Sequence, residues 1–219
     1  MIKAPQGNAN KKYVEQPVIE PGTYPGRIVQ VIDMGLQPQR PYQGQDKKPC
    51  HEIGFTYELV DTFVVDEAGK EIEDKPRWMS EVIPLHPLIA EKAKSTQRYK
   101  ALDPENQFDG DFSQIADIPC NVLIVHNKKG DKVYENVASI SAMRPKDAAK
   151  CPELKNPVVV FSLDTPDINV FNKLPKWIQS KIQSNLNYKG SKLEKLLPKE
   201  DIKEVEQENE PLMDKNNPY

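Results

Sequence analysis

IPCNVLIVHNKKGDKVYENVASISAM, residues 118–143, is the stretch whose reading decides the fold. Cys120 to His126 and Val133 to Ile140 are patterned as β-strands. Between them Asn127-Lys128-Lys129-Gly130-Asp131-Lys132 forms a polar connector with a glycine where a tight turn needs positive φ. The pattern predicts a β-hairpin. Val122 and Ile124 alternate with Leu123 and Val125 without a polar interruption, as in a strand covered on both faces, so a barrel or sandwich is expected around it. The tip sets Lys128, Lys129 and Lys132 against a single Asp131, a basic finger on a β scaffold.

Working outward toward the N-terminus, RIVQVIDMG (27–35) has strong β propensity and reads as strand one. The next segment, LQPQRPYQGQDKKPC (36–50), is too rich in Pro and Gln for regular structure and predicts a long basic loop. Strand two follows. Ile53, Phe55, Tyr57 and Leu59 alternate with Glu52, Gly54, Thr56 and Glu58, predicting one core face and one wet face. Asp66-Glu67-Ala68-Gly69 closes a long excursion, Arg77 to Ile83 reads as strand three, and Pro84 ends it. From Leu88 to Leu102 good helix formers run without Gly or Pro, and Asp103-Pro104 stops that helix. Residues 112–118 suggest a further short helical turn.

Three strands, a helix and two strands is the connectivity of the oligonucleotide/oligosaccharide-binding (OB) fold, a five-stranded Greek-key barrel with a helix between strands 3 and 4. Its ligands lie across strands two and three, between the loops joining strands 1–2 and 4–5. Here those loops are 36–50 and 127–132, and both are basic. The candidate groove residues are Arg40, Tyr42, Lys47, Lys48, Lys128, Lys129 and Lys132 from the loops, with Arg27 and Arg77 at the starts of strands and Trp78 and Tyr134 as aromatic faces. Unpaired nucleic acid requires cations for phosphate and aromatic rings for bases. Trp78 fits core and stacking platform equally well, Tyr57 belongs to the apolar face, and Arg27 and Arg77 could instead meet solvent or Glu52, Glu58 or Glu81.

Composition bounds the rest. The chain has 219 residues, 37% hydrophobic, with twenty prolines lying mostly outside the strand-like runs, so part of it need not be packed. The order predicts a flexible N-terminal arm (1–20), the OB domain (21–145), a linker with amphipathic helices packed on the barrel (146–190), and an acidic, disordered tail (191–219). In the third part Val158 to Phe161 is strand-like, and Thr165-Pro166 reads as an N-cap followed by a proline at the first helical position. Ile168, Phe171 and Leu174, then Trp177, Ile178, Ile182 and Leu186, form an apolar stripe. From Lys199 onward seven acids face three bases, a net −4, which leaves 26 acids and 27 bases in residues 1–198. No run reaches the ~18 apolar residues of a membrane span, and the N-terminus lacks the apolar centre of a signal peptide, so a soluble cytoplasmic protein is expected.

Catalysis is not expected. His51, His86 and His126 are scattered, and no nucleophile elbow, zinc-helix motif or phosphate-cradling glycine loop occurs. Cys50, Cys120 and Cys151 are odd in number and widely spaced. They predict small buried side chains, with neither a disulfide framework nor a metal site and no cofactor.

The segments PGTYPGRIVQVIDMG (21–35), HEIGFTYELVD (51–61), RWMSEVIPL (77–85) and 118–143 resemble a family of tailed-bacteriophage OB-fold single-stranded DNA-binding proteins. The resemblance implies non-catalytic, sequence-tolerant binding of single-stranded DNA in phage DNA replication or recombination, in the host cytoplasm. It also implies contacts to replication or recombination proteins through the 199–219 tail. This tail departs from the pattern in ending Asn-Asn-Pro-Tyr and in carrying lysines. A homo-oligomer is compatible with the sequence. The alternative reading is a virion structural or interaction protein with a β-sandwich body.

Overall fold

The computed structural model describes residues 14–197. Five long strands are β1 (Gly22–Gln37), β2 (Cys50–Val65), β3 (Glu71–Pro84), β4 (Pro119–Lys129) and β5 (Lys132–Ala142). Helix α1 (Lys94–Leu102) and a 3-10 turn (Phe112–Ile115) separate β3 from β4. After β5 come α2 (Pro145–Ala148), β6 (Val159–Phe161), α3 (Ile168–Lys173), α4 (Lys176–Gln183) and α5 (Lys192–Leu196). The protein is mainly β. Its sheet has the order β3-β2-β1-β4-β5, all antiparallel, and β6 adds a sixth strand parallel to β1.

β1 organises the sheet because it serves three partners. Gly22 to Arg27 pair with β4, Gly26 to Gln37 pair with β2, and β6 takes the edge at Gln30 to Ile32 that β4 leaves vacant. At the crossover a side chain would not fit: a Cβ on Gly26 would lie 2.8 Å from the Glu58 carbonyl oxygen. Register shifts at Ile28/Gln30 and Asp33/Gly35 bend the strand, as bulges do. The sheet therefore curls, and β1 to β5 share one interior containing Ile28, Phe55, Tyr57, Met79, Val122 and Val137, closed at one side by Tyr99 of α1.

The sheet's two end strands, β3 and β5, are joined by side chains. Arg98 of α1 is buried and bridges them: Nε and Nη2 donate to the Glu81 carboxylate of β3 at 2.7 and 3.0 Å, and Nη2 also reaches the Val137 and Ala138 carbonyls of β5 at 3.4 and 3.3 Å. Burial opposes the Arg98 charge, but the hydrogen bond and charge of Glu81 outweigh it and raise the Arg98 pKa. The Tyr57 hydroxyl donates to the same carboxylate at 2.7 Å, and burial together with the Glu81 charge drives its pKa well upward. Further along, Arg77 of β3 meets Glu135 of β5 at 3.3 Å.

Residues 16–19, expected in a flexible arm, run as a strap into this seam. Pro17 O accepts from Arg77 at 2.8 Å, Ile19 N donates to Glu135, and Ile19 O meets His126 Nε2 at 2.7 Å. Ile19 is buried in the main core, and that apolar anchor is why this part of the arm is tied down.

A second apolar cluster lies on the outside of the sheet. Ile32 and Met34 of β1 and Val82 of β3 pack against Phe161, Phe171, Leu174, Ile178, Ile182 and Leu193. The stripe of α3 and α4 therefore docks on the curled sheet, although Leu186 at its end is exposed. The cap of α3 is Asp167, two residues later than the sequence pattern placed it, because its carboxylate accepts from Asn169 N at 2.8 Å and Val170 N at 3.4 Å. The helix before β4 is also shorter than expected. Residues 87–93 form turns, with His86 N donating to Ser95 Oγ and Thr96 Oγ1 donating to Pro87 O. Among the described residues no helix is long and apolar enough to cross a membrane. The acidic 199–219 tail lies outside the described residues.

Candidate nucleic-acid interface

The basic loop between β1 and β2 is itself a small finger. Tyr42 N and O exchange hydrogen bonds with Gln45 O and N at 2.9 and 3.0 Å, around Gln43 (φ 51°) and Gly44 (φ 76°). Two consecutive positive φ values match a type I′ hairpin turn. Tyr42 is 57% exposed at the tip, and Lys47 Nζ sits 4.7 Å from its ring centroid, a cation–π contact that holds cation and ring together. Arg40, Lys47 and Lys48 are exposed. The base is fixed by Gln37, whose buried amide donates to Met34 O at 2.6 Å and Lys181 O at 2.9 Å, and by Gln39 on Glu52 at 2.9 Å.

The β4–β5 hairpin is tighter than the six-residue connector implied. Lys129 pairs directly with Lys132, leaving a two-residue turn at Gly130 (φ 58°) and Asp131. Lys128, Lys129 and Lys132 are all exposed, and Tyr134 is 38% exposed. Pairing places Asn127 opposite Tyr134 and Lys129 opposite Lys132, so Tyr134 and Lys132 share the outward hairpin face.

Register separates the two loops. The finger leaves β1 at Gln37 and enters β2 at Cys50, whereas the β4–β5 turn lies beyond Ile124, the partner of Gly22 at the other end of β1. The surface across strands two and three, expected to be the open groove, is largely covered. Glu58, on the face predicted to be wet, is 1% exposed: its carboxylate accepts from Lys155 N at 2.6 Å, Asn156 Nδ2 at 2.7 Å and Trp78 Nε1 at 3.1 Å. Lys181 of α4 meets Glu52 at 2.8 Å, and Trp177 and Ile178 lie over Gly54 and Thr56. The cover exists because β1 and β3 direct apolar Ile32, Met34 and Val82 to this face, which water cannot satisfy. Leu123 and Val125, expected under a layer of their own, are half-buried because that second layer covers β1 to β3 and not β4.

The remaining candidates divide. Trp78 stands outward on β3, 42% exposed, at the border of the cover. Arg27 and Arg77 are engaged within the protein. Arg27 donates to Pro152 O (2.8 Å), Cys151 O (3.2 Å), Asp117 O (2.6 Å) and Asp117 Oδ1 (3.1 Å), fixing the start of the C-terminal segment to β1. Arg77 holds the strap and Glu135, as described. Neither pairs with Glu52, Glu58 or Glu81. Sequence reasoning missed Arg98 and Glu81, although the alternation Met79, Glu81, Ile83 sets a carboxylate on an apolar face and so demands a buried donor.

Burial, then the neighbouring Cys151, pushes the Cys120 thiol up to about 12, and burial with the Glu52 charge raises Cys50, so both are protonated at neutral pH. Among the described residues no three His, Cys, Asp or Glu side chains are grouped to hold a metal ion. No family model, curated protein or solved structure matches the chain.

Proposed function

We propose that the chain is a non-enzymatic, sequence-tolerant binder of single-stranded DNA, acting in phage DNA replication or recombination in the host cytoplasm. The observation that carries this reading is that two separate hairpins, at opposite ends of β1, each hold out exposed cations beside an exposed tyrosine: Arg40, Lys47 and Lys48 with Tyr42, and Lys128 and Lys132 with Tyr134. Cations neutralise phosphate while rings take bases of any identity. The strand order and the helix after β3 support an OB-type barrel, in which Arg98 and the strap close the gap between β3 and β5. The phage setting rests on the resemblance of residues 20–145, and the acidic tail is then the contact for replication or recombination proteins.

The test is the salt dependence of oligo-dT affinity in fluorescence anisotropy. Each phosphate contact contributes about 0.7 to the log–log slope for a single strand. Lys47→Ala with Lys48→Ala, and separately Lys128→Ala with Lys132→Ala, should each flatten the slope by about 1.4. Slopes equal to the unmodified protein's in both pairs would refute phosphate contact by these loops.

A further inference from the structure

With the face of β2 covered, two of the three exposed aromatic side chains among the described residues, Trp78 and Tyr134, flank a different surface, the seam between β3 and β5, while Tyr42 stands on the β1–β2 finger. Arg77 and Glu135 meet across it at 3.3 Å with their side chains on the inner side, in step with Met79 and Val137 of the core. Their chain neighbours Trp78 and Tyr134 must therefore point outward, one on each bank. The strap runs between them, tied by Pro17 to Arg77 and by Ile19 to Glu135. Because Ile19 turns into the core, Val18 turns out, and it is 46% exposed. Trp78, Val18 and Tyr134 are thus the outward side chains of β3, the strap and β5 at this level, above a hydrogen-bonded frame.

Charge argues for what lies on this surface. Glu15 and Glu20, which flank the strap, are exposed on either side of Val18, which disfavours phosphate at Val18 itself. Lys132 lies two residues from Tyr134 on the same hairpin face, with Lys128 in the same hairpin, so phosphate is favoured just beyond Tyr134. We infer that unpaired bases stack across the β3–β5 seam on Trp78, Val18 and Tyr134, with their phosphates on the lysines of the β4–β5 hairpin. This inference rests on the single-strand reading and specifies the path of the strand, along the seam and not over β2. The indole of Trp78 is held for the role, since its N–H is fixed by Glu58 and only the ring is offered.

The experiment uses the full chain. Trp78→Ala and Tyr134→Ala are expected to weaken oligo-dT binding by about 5- to 150-fold, the loss that follows removal of a stacked base, while leaving the salt slope unchanged. Trp78→Phe should restore most of the affinity, which a purely structural loss would not predict. The protein has two tryptophans. In a Trp177→Phe background the emission of Trp78 should therefore be quenched in step with anisotropy. Should that background fail to fold, the alanine and phenylalanine variants of the otherwise unmodified chain carry the test alone. Oligo-dT binding that survives both alanine substitutions unchanged overturns the seam path and leaves the single-strand reading standing. Absence of oligo-dT binding by the unmodified chain overturns both.

Discussion

Replacing Arg98 by methionine tests how side chains join β3 to β5. The substitution keeps an unbranched apolar stem in α1 but removes every hydrogen bond that spans β3 and β5 at this level: two to Glu81 at 2.7 and 3.0 Å and two to the carbonyls of Val137 and Ala138 at 3.4 and 3.3 Å. The Glu81 carboxylate then keeps only the Tyr57 hydroxyl in a largely buried site. Removing one partner of a buried ion pair costs about 3–5 kcal/mol. At roughly 2–4 °C per kcal/mol for a chain of this size, the midpoint should fall by about 6–20 °C. Glu81→Leu with Arg98→Met removes both charges and leaves the Tyr57 hydroxyl unsatisfied at about 1–3 kcal/mol, so the double variant should be more stable than Arg98→Met alone. Urea unfolding of the unmodified chain, both single variants and the double gives the coupling. A loss below about 1 kcal/mol for Arg98→Met, or a double variant weaker than that single one, would refute the bridging argument.

Two further perturbations probe the frame. Gly26→Ala sets a Cβ 2.8 Å from the Glu58 backbone oxygen, inside a strand paired on both sides, and should destabilise by about 1–3 kcal/mol in chemical unfolding; a neutral result would mean β1 is not clamped there. Asp103 ends α1 and accepts from Gln107 N (2.8 Å), Phe108 N (2.9 Å) and the Tyr99 hydroxyl (2.8 Å). Burial alone would raise its pKa, but those amides and the hydroxyl lower it below the usual carboxylate value. A lowered folded-state pKa means stability that is present above about pH 4 and lost as the pH falls through the folded value. Asp103→Asn should therefore lower the unfolding midpoint at pH 7 and do so less at pH 3; an equal deficit at both would contradict the ionised cap.

Much of the strand order was legible in the sequence, because alternation reports a face directly. Ile53, Phe55, Tyr57 and Leu59 are all core, and the hairpin around Gly130 follows from the turn chemistry. What alternation reports less well is the partner of the opposite face. Glu52, Thr56 and Glu58 read as a wet face, yet all three lie under or beside residues of the far C-terminal segment, Lys181, Trp177 and Lys155, brought there by the apolar stripe of α3 and α4. The strap was equally hidden, since Ile19 is one apolar residue in a Pro- and Glu-rich segment and only its fit into the seam gives it a role. The arginines illustrate the same limit. Arg40 at a loop tip is exposed as its context suggests, whereas Arg27, Arg77 and Arg98 are held by carbonyls and carboxylates from distant segments that local sequence does not reveal.

The central claim is tested most directly by measuring the affinity of the full chain for oligo-dT and for a duplex of equal length across a salt series. Preferential binding to oligo-dT is predicted, with a log–log salt slope of about −3.5 if Arg40, Lys47, Lys48, Lys128 and Lys132 each meet a phosphate, and with higher affinity once residues 199–219 are removed. Equal affinity for the two, or none for either at low salt, would contradict it.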